Sequence, residues 1–130
     1  MAAQNINLIL LADDDVDDCL LFKEALDELQ VLSKFTTIHN GELLMQLLKS
    51  DEPLPDILFL DINMPRKNGF DCLMEIKQSE KLKDLRVVMI STSFNQSNVD
   101  TLYKIGAMNY IHKSPSFSIL KILINNSLIK

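Results

Sequence analysis

The sequence predicts an α/β fold, a five-stranded parallel sheet covered by helices on both faces. Two observations carry this. Short apolar runs alternate five times with stretches of helical spacing, an order that closes as a parallel sheet between two helix layers. Residues 57–60 (ILFL) are apolar without interruption, as a strand buried on both faces must be, and Pro53 and Pro55 fence them off upstream. At 130 residues the chain has the length of one domain, residues 1–130, and no linker, low-complexity tract or internal repeat divides it.

The first strand is read at residues 7–12 (NLILLA), which run into Asp13, Asp14 and Asp15. Asp15 is placed to cap a helix over residues 16–29, with Asp17 and Asp18 in its first turn, where carboxylates offset the positive end of the helix. Leu20, Leu21, Ala25, Leu26 and Leu29 keep its apolar spacing. Residues 34–38 (KFTTI), rich in β-branched and aromatic side chains, form the second strand, and Asn40-Gly41 reads as a turn. Leu43, Leu44, Leu47 and Leu48 are the stripe of the second helix.

The third strand ends on Asp61, and on the strand alone that carboxylate suits a turn cap as well as an active group. Pro65 and Gly69 shape the loop that follows, with Met64 as a gap-filling apolar side chain. Phe70, Leu73, Met74 and Ile76 carry a third helix that fades in the charged residues 80–84. Residues 87–90 (VVMI) form the fourth strand, ending in Ser91 and Thr92. A polar loop over 93–98 leads to a fourth helix with Val99, Leu102, Tyr103 and Ile105, stopped by Gly106. Tyr110 and Ile111 make a last strand that runs into His112 and Lys113, and residues 115–129 close the chain as an amphipathic helix.

Composition removes several classes of function. No apolar run approaches the roughly 18 residues that a membrane span needs, so a cytoplasmic protein is expected. A net charge of −5 disfavours non-specific nucleic-acid binding, which depends on Lys and Arg neutralising phosphates. Cys19 and Cys72 each fall inside a helix with no ligand spacing, and read as buried thiols. His39 and His112 read as surface residues without a catalytic partner.

If all five strands run the same way, Asp13, Asp14, Asp61, Ser91 and Lys113 meet at one edge of the sheet. Carboxylates crowded together repel, and a hard divalent cation relieves them; Mg²⁺ takes oxygen ligands and combines one or two carboxylates with phosphate oxygens. An ammonium and a hydroxyl beside such an ion suit the spread charge of a transferring phosphoryl group. The nucleophile is then a carboxylate, and Asp61, at the end of a central strand, is the expected one.

ADDD at 12–15, LDINMP-x-x-NG at 60–69, Ser91 after VVMI, and YIHK at 110–113 together resemble the receiver domain of two-component response regulators, over essentially the whole chain. The resemblance implies a flavodoxin-like, doubly wound sheet of strand order 2-1-3-4-5. It implies that Asp61 is the phosphoacceptor, that Asp14 binds Mg²⁺ directly and Asp13 largely through water, and that Asn63 adds its backbone carbonyl. Ser91 and Lys113 match the residues that hold the phosphoryl oxygens, and Tyr110 the aromatic switch that enters the space Ser91 vacates. A histidine kinase or phosphotransfer protein is the implied donor. With no output domain expected, the signal leaves through another protein or a homodimer on the face of the fourth helix, last strand and fifth helix, where Val99, Tyr103, Tyr110 and Phe117 are the expected exposed residues. The chain departs from the family in Ser114, which separates Lys113 from Pro115, in Thr92, and in the extra acid Asp15. Two other readings stand beside this one: a degenerate receiver that only binds proteins, and an Asp-nucleophile phosphohydrolase, which wants an acid where Asn63 stands.

Overall fold

Strand and helix alternate along the chain in the computed structural model, which describes residues 6–93, 95–113 and 115–129. In order these are β1 (Leu8–Ala12), α1 (Val16–Glu28), β2 (Lys34–Ile38), α2 (Gly41–Lys49), β3 (Ile57–Asp61), α3 (Gly69–Gln78), β4 (Val87–Ser91), α4 (Gln96–Ile105), β5 (Asn109–His112) and α5 (Phe117–Leu128). The strands pair in the order β2-β1-β3-β4-β5, and every neighbouring pair is parallel. This is the expected doubly wound, flavodoxin-like sheet order.

The two-residue period of a strand divides the core. Leu58 and Leu60 of β3 pack with α2, α3 and α4, whereas Ile57 and Phe59 pack on the other face with α1 and α5. Phe22 of α1 is the hinge of that second cluster: its ring meets Phe59 edge-on at 4.8 Å and stacks on Phe35 at 5.7 Å. Burying an aromatic side chain of this kind stabilises by roughly 1.5–3 kcal/mol, so β2 and β3 are anchored to α1 from this face.

Several local expectations are corrected. Asn40 is the N-cap of α2, accepting from the Leu43 amide at 2.8 Å, and Gly41 is its first residue; the Asn that favours a turn also caps a helix. Helix α4 starts at Gln96 under the cap Asn95, inside the stretch expected as loop, and α5 starts at Phe117 under Ser116. On α1 the buried face is Cys19, Phe22, Ala25 and Leu26, while Leu20 and Leu21 face outward; Leu43 and Ile119 also leave their expected stripes. Val99 is 7% exposed and belongs to the interior, so the expected face of α4, β5 and α5 keeps Tyr103 as its exposed residue, with Tyr110 and Phe117 half-buried. Ser114 lies outside the described residues.

Met64 is buried in the α2–α4 core, as expected. Gly69 is required by crowding: a Cβ there would stand 2.4 Å from the Asp61 carbonyl oxygen, while its N–H donates to Ile62 O at 2.7 Å. The loop after β3 is thereby drawn tight beneath Asp61.

Candidate functional site

Because the strands are parallel, their carboxyl ends share one edge, and the chain places an acid or a base at most of them. Asp13 follows β1 with its N–H donating to Ile38 O at 2.9 Å, so β2 fixes its backbone. Its side chain is 1% exposed; Oδ1 accepts the Asp15 N–H at 3.0 Å and Oδ2 lies 2.8 Å from Lys113 Nζ. Asp61, the last residue of β3, is also buried, and its Oδ1 accepts the Asn63 N–H at 3.3 Å. Asp14 is exposed. Carboxylate oxygens of Asp13, Asp14 and Asp61 lie within 4.8 Å of one another.

Lys113 is delivered by β5. Its backbone N–H donates to Ser91 O at 2.7 Å, and its Nζ reaches Asp13, Asp18 Oδ2 at 2.9 Å, and Asp61 Oδ2 at 3.6 Å. Burial works against the ammonium, but its bonds to Asp13 and Asp18 outweigh that and hold it above the usual lysine range. Among the described residues, four carboxylates, those of Asp13, Asp14, Asp18 and Asp61, nevertheless cluster around one cation. The consequence is read at Asp61: burial, opposed by Lys113 and reinforced by Asp13, raises its carboxyl to about 7. Lys113 alone does not neutralise this cluster. Its donors are all carboxylate oxygens, the set that suits a hard divalent cation, and exposed Asp14 leaves room for that ion to keep water.

Ser91, Asn63 and Tyr110 line a neighbouring cleft of about 220 Å³, together with Ile62, Ser93, Asn95 and Asn98. The buried Ser91 hydroxyl accepts the Ser93 N–H at 3.1 Å. The Tyr110 hydroxyl donates to Ser93 O at 2.7 Å; burial raises its phenol, partly offset by a hydrogen bond with Ser91.

The structure thus brings Asp13, Asp14, Asp61 and Lys113 together and sets Ser91, Asn63 and Tyr110 beside them. Three contributors escaped the sequence reading. Asp18, read only as a helix-start acid, clasps Lys113; Asp15 accepts its N–H at 3.1 Å, so Asp18 is the third residue of the helix, where side chains turn back toward the helix start. Ser93 holds both Ser91 and Tyr110. His39, read as a surface residue without a catalytic partner, is exposed as expected and also places Nδ1 2.9 Å from the Asp13 carbonyl oxygen.

The model of the response regulator receiver domain matches residues 9–125. The response regulator Rcp1 of Synechocystis sp. is 32% identical over 112 residues, which cover 82% of this chain and 76% of that protein. The transcriptional regulatory protein CpxR of Klebsiella pneumoniae is 34% identical over 110 residues, covering 83% of this chain and 43% of that longer protein. Among solved structures, the Mn²⁺-bound form of Rcp1 superposes with a TM-score of 0.85 at 30% identity, covering 92% of this chain and 90% of that one. The phosphorylated cyanobacterial phytochrome response regulator RcpA superposes with a TM-score of 0.85 at 32% identity, covering 93% and 90%.

Proposed function

This chain belongs to the response regulator receiver domain family, and from that premise we propose that Asp61 accepts a phosphoryl group from a histidine kinase or phosphotransfer protein. The observation that carries the reading is one contact group: Lys113 Nζ is 3.6 Å from Asp61 Oδ2, and the carboxylates of Asp13 and Asp14 lie within 4.8 Å of that of Asp61. Asp13, Asp14 and Asp61 would hold Mg²⁺, with Asn63 adding its carbonyl. When bound, that ion supplies positive charge to the phosphoryl oxygens and keeps the carboxylates ionised. The likeness to a relative solved in a Mn²⁺-bound form supports binding of a divalent ion, for which the three clustered carboxylates are the candidate ligands.

The transfer is a displacement at phosphorus. An Asp61 carboxylate oxygen forms the new O–P bond as the N–P bond of the donor phosphohistidine breaks, and the leaving imidazole keeps the electron pair. Lys113 and the Ser91 hydroxyl take the phosphoryl oxygens. Drawing Ser91 toward the phosphate breaks its bond with Tyr110, and Tyr110 then settles differently against Ser93 and α4. The shift is as large as the difference in contacts that the phosphate makes in the two states. Residues 1–130 work in this reading as one cytoplasmic receiver unit, signalling through a second protein or copy that meets α4, β5 and α5, without nucleic acid or membrane.

Incubating the full chain with a small-molecule phosphodonor and Mg²⁺, followed by intact-mass measurement, tests the proposal. Wild type gains one phosphoryl group and Asp61→Asn gains none. An unlabelled wild type, or equal labelling of the Asn variant, sinks it and returns the chain to a binding module that is not phosphorylated at this site.

A further inference from the structure

We propose that His39 is a positioning residue for the acidic pair, holding the peptide that joins Asp13 to Asp14; this rests on the metal reading above. His39 directly follows β2, and its Nδ1 lies 2.9 Å from the Asp13 carbonyl oxygen. A carbonyl oxygen only accepts, so Nδ1 carries the proton. The same oxygen receives the Cys19 thiol at 3.6 Å, a weak donor at a long distance, which leaves the imidazole as the strong anchor.

The two carboxylates differ in how they are held. Asp13 is fixed by burial, by the Asp15 N–H and by Lys113. Asp14 is exposed, and among the described residues no hydrogen bond or ion pair holds its side chain. Its direction therefore follows from the backbone, and the peptide between residues 13 and 14 is a rigid plane. The end of β2 holds Asp13 on both sides: Ile38 O takes its N–H at 2.9 Å, and His39 takes its carbonyl. Rotating that peptide would swing Asp14 away from Asp13 and Asp61. His39 thus preorganises a ligand that it does not touch.

The competing reading is that His39 only ties β2 to β1. The test uses the full chain, stripped with a chelator and titrated with Mn²⁺ at about pH 8, free Mn²⁺ being counted by electron paramagnetic resonance. His39→Ala is expected to weaken Mn²⁺ binding about fivefold, the equivalent of one ordinary hydrogen bond. His39→Asn, whose amide nitrogen stands the same number of bonds from Cα as Nδ1, is expected to restore it. A purely structural tie instead lowers the melting temperature of the metal-free protein and leaves affinity unchanged. Unchanged affinity in His39→Ala, or equal weakening in both variants, overturns the inference. A wild type that binds no Mn²⁺ overturns the metal reading beneath it and the inference with it.

Discussion

Lys113 Nζ stands 2.8 Å from Asp13 Oδ2, joining the loops after the first and last strands across 100 residues of chain. Both side chains are largely buried, so each compensates a charge that water does not reach. Removing one partner leaves the other stranded. Lys113→Met is expected to destabilise the metal-free protein by about 3 kcal/mol, a cost typical of a broken buried pair. Urea denaturation in chelator checks this, and saturating Mg²⁺ should return part of the loss, because the ion replaces the missing positive charge.

Asp61 predicts a pH dependence of opposite sign to that of an ordinary surface carboxylate. Its folded value of about 7 exceeds the reference of 3.8, so folding favours the protonated form. The stability it contributes is complete below that reference and is lost as pH rises through about 7. In chelator, wild type should therefore fall relative to Asp61→Asn by on the order of 3 kcal/mol across this window. Parallel denaturation curves at acid and neutral pH measure it; a constant difference between the two proteins would contradict the assignment.

Asp14 should matter to the metal far more than to the fold. The residue is exposed, so Asp14→Asn is expected to leave the metal-free melting temperature within the small range of surface substitutions. Mg²⁺ at about a hundred times its dissociation constant should stabilise wild type by about 2.7 kcal/mol, and most of that gain should vanish in the variant. Thermal melts with and without Mg²⁺ give both numbers.

Arg66 occupies left-handed backbone, with φ of 73°, in the loop between β3 and α3. A Cβ is disfavoured there, and the 3.8 Å pairing of Arg66 with Glu42 is solvent-exposed and adds little. Arg66→Gly is expected to stabilise by about 0.5–1 kcal/mol, with Arg66→Ala close to wild type. A drop in melting temperature for the glycine variant would show that the arginine side chain matters more than its backbone.

Gly69 makes the reverse case. Because a Cβ would lie 2.4 Å from the Asp61 carbonyl oxygen, Gly69→Ala must push the loop off β3. A loss of about 2 kcal/mol or more is expected, within the range for overpacking, along with slower labelling of Asp61 by a phosphodonor. Normal labelling would mean that the loop yields without moving the carboxylate.

The sequence by itself determined the alternation of elements, the burial of β3 on both faces, and which edge of the sheet collects its acids. These are local signals. An uninterrupted apolar run, a two-residue period and an acid directly after a strand are all properties of neighbours in the chain. Once the strands are parallel, Asp13, Asp14, Asp61 and Lys113 have little choice but to meet. The rotation of each helix about its axis is a different kind of quantity. Leu20 and Leu21 share the helical spacing of the stripe expected on α1, yet the sheet and α5 together chose Cys19, Phe22, Ala25 and Leu26, and Val99 turned inward on α4 for a like reason. Pairings between distant loops were equally beyond reach. Asp18 clasps Lys113 and His39 grips the Asp13 carbonyl because the tertiary fold sets the start of α1 beside the end of β5 and the end of β2 beside the end of β1. Spacing along one segment carries no information about which side chain another segment presents, and only packing decides that.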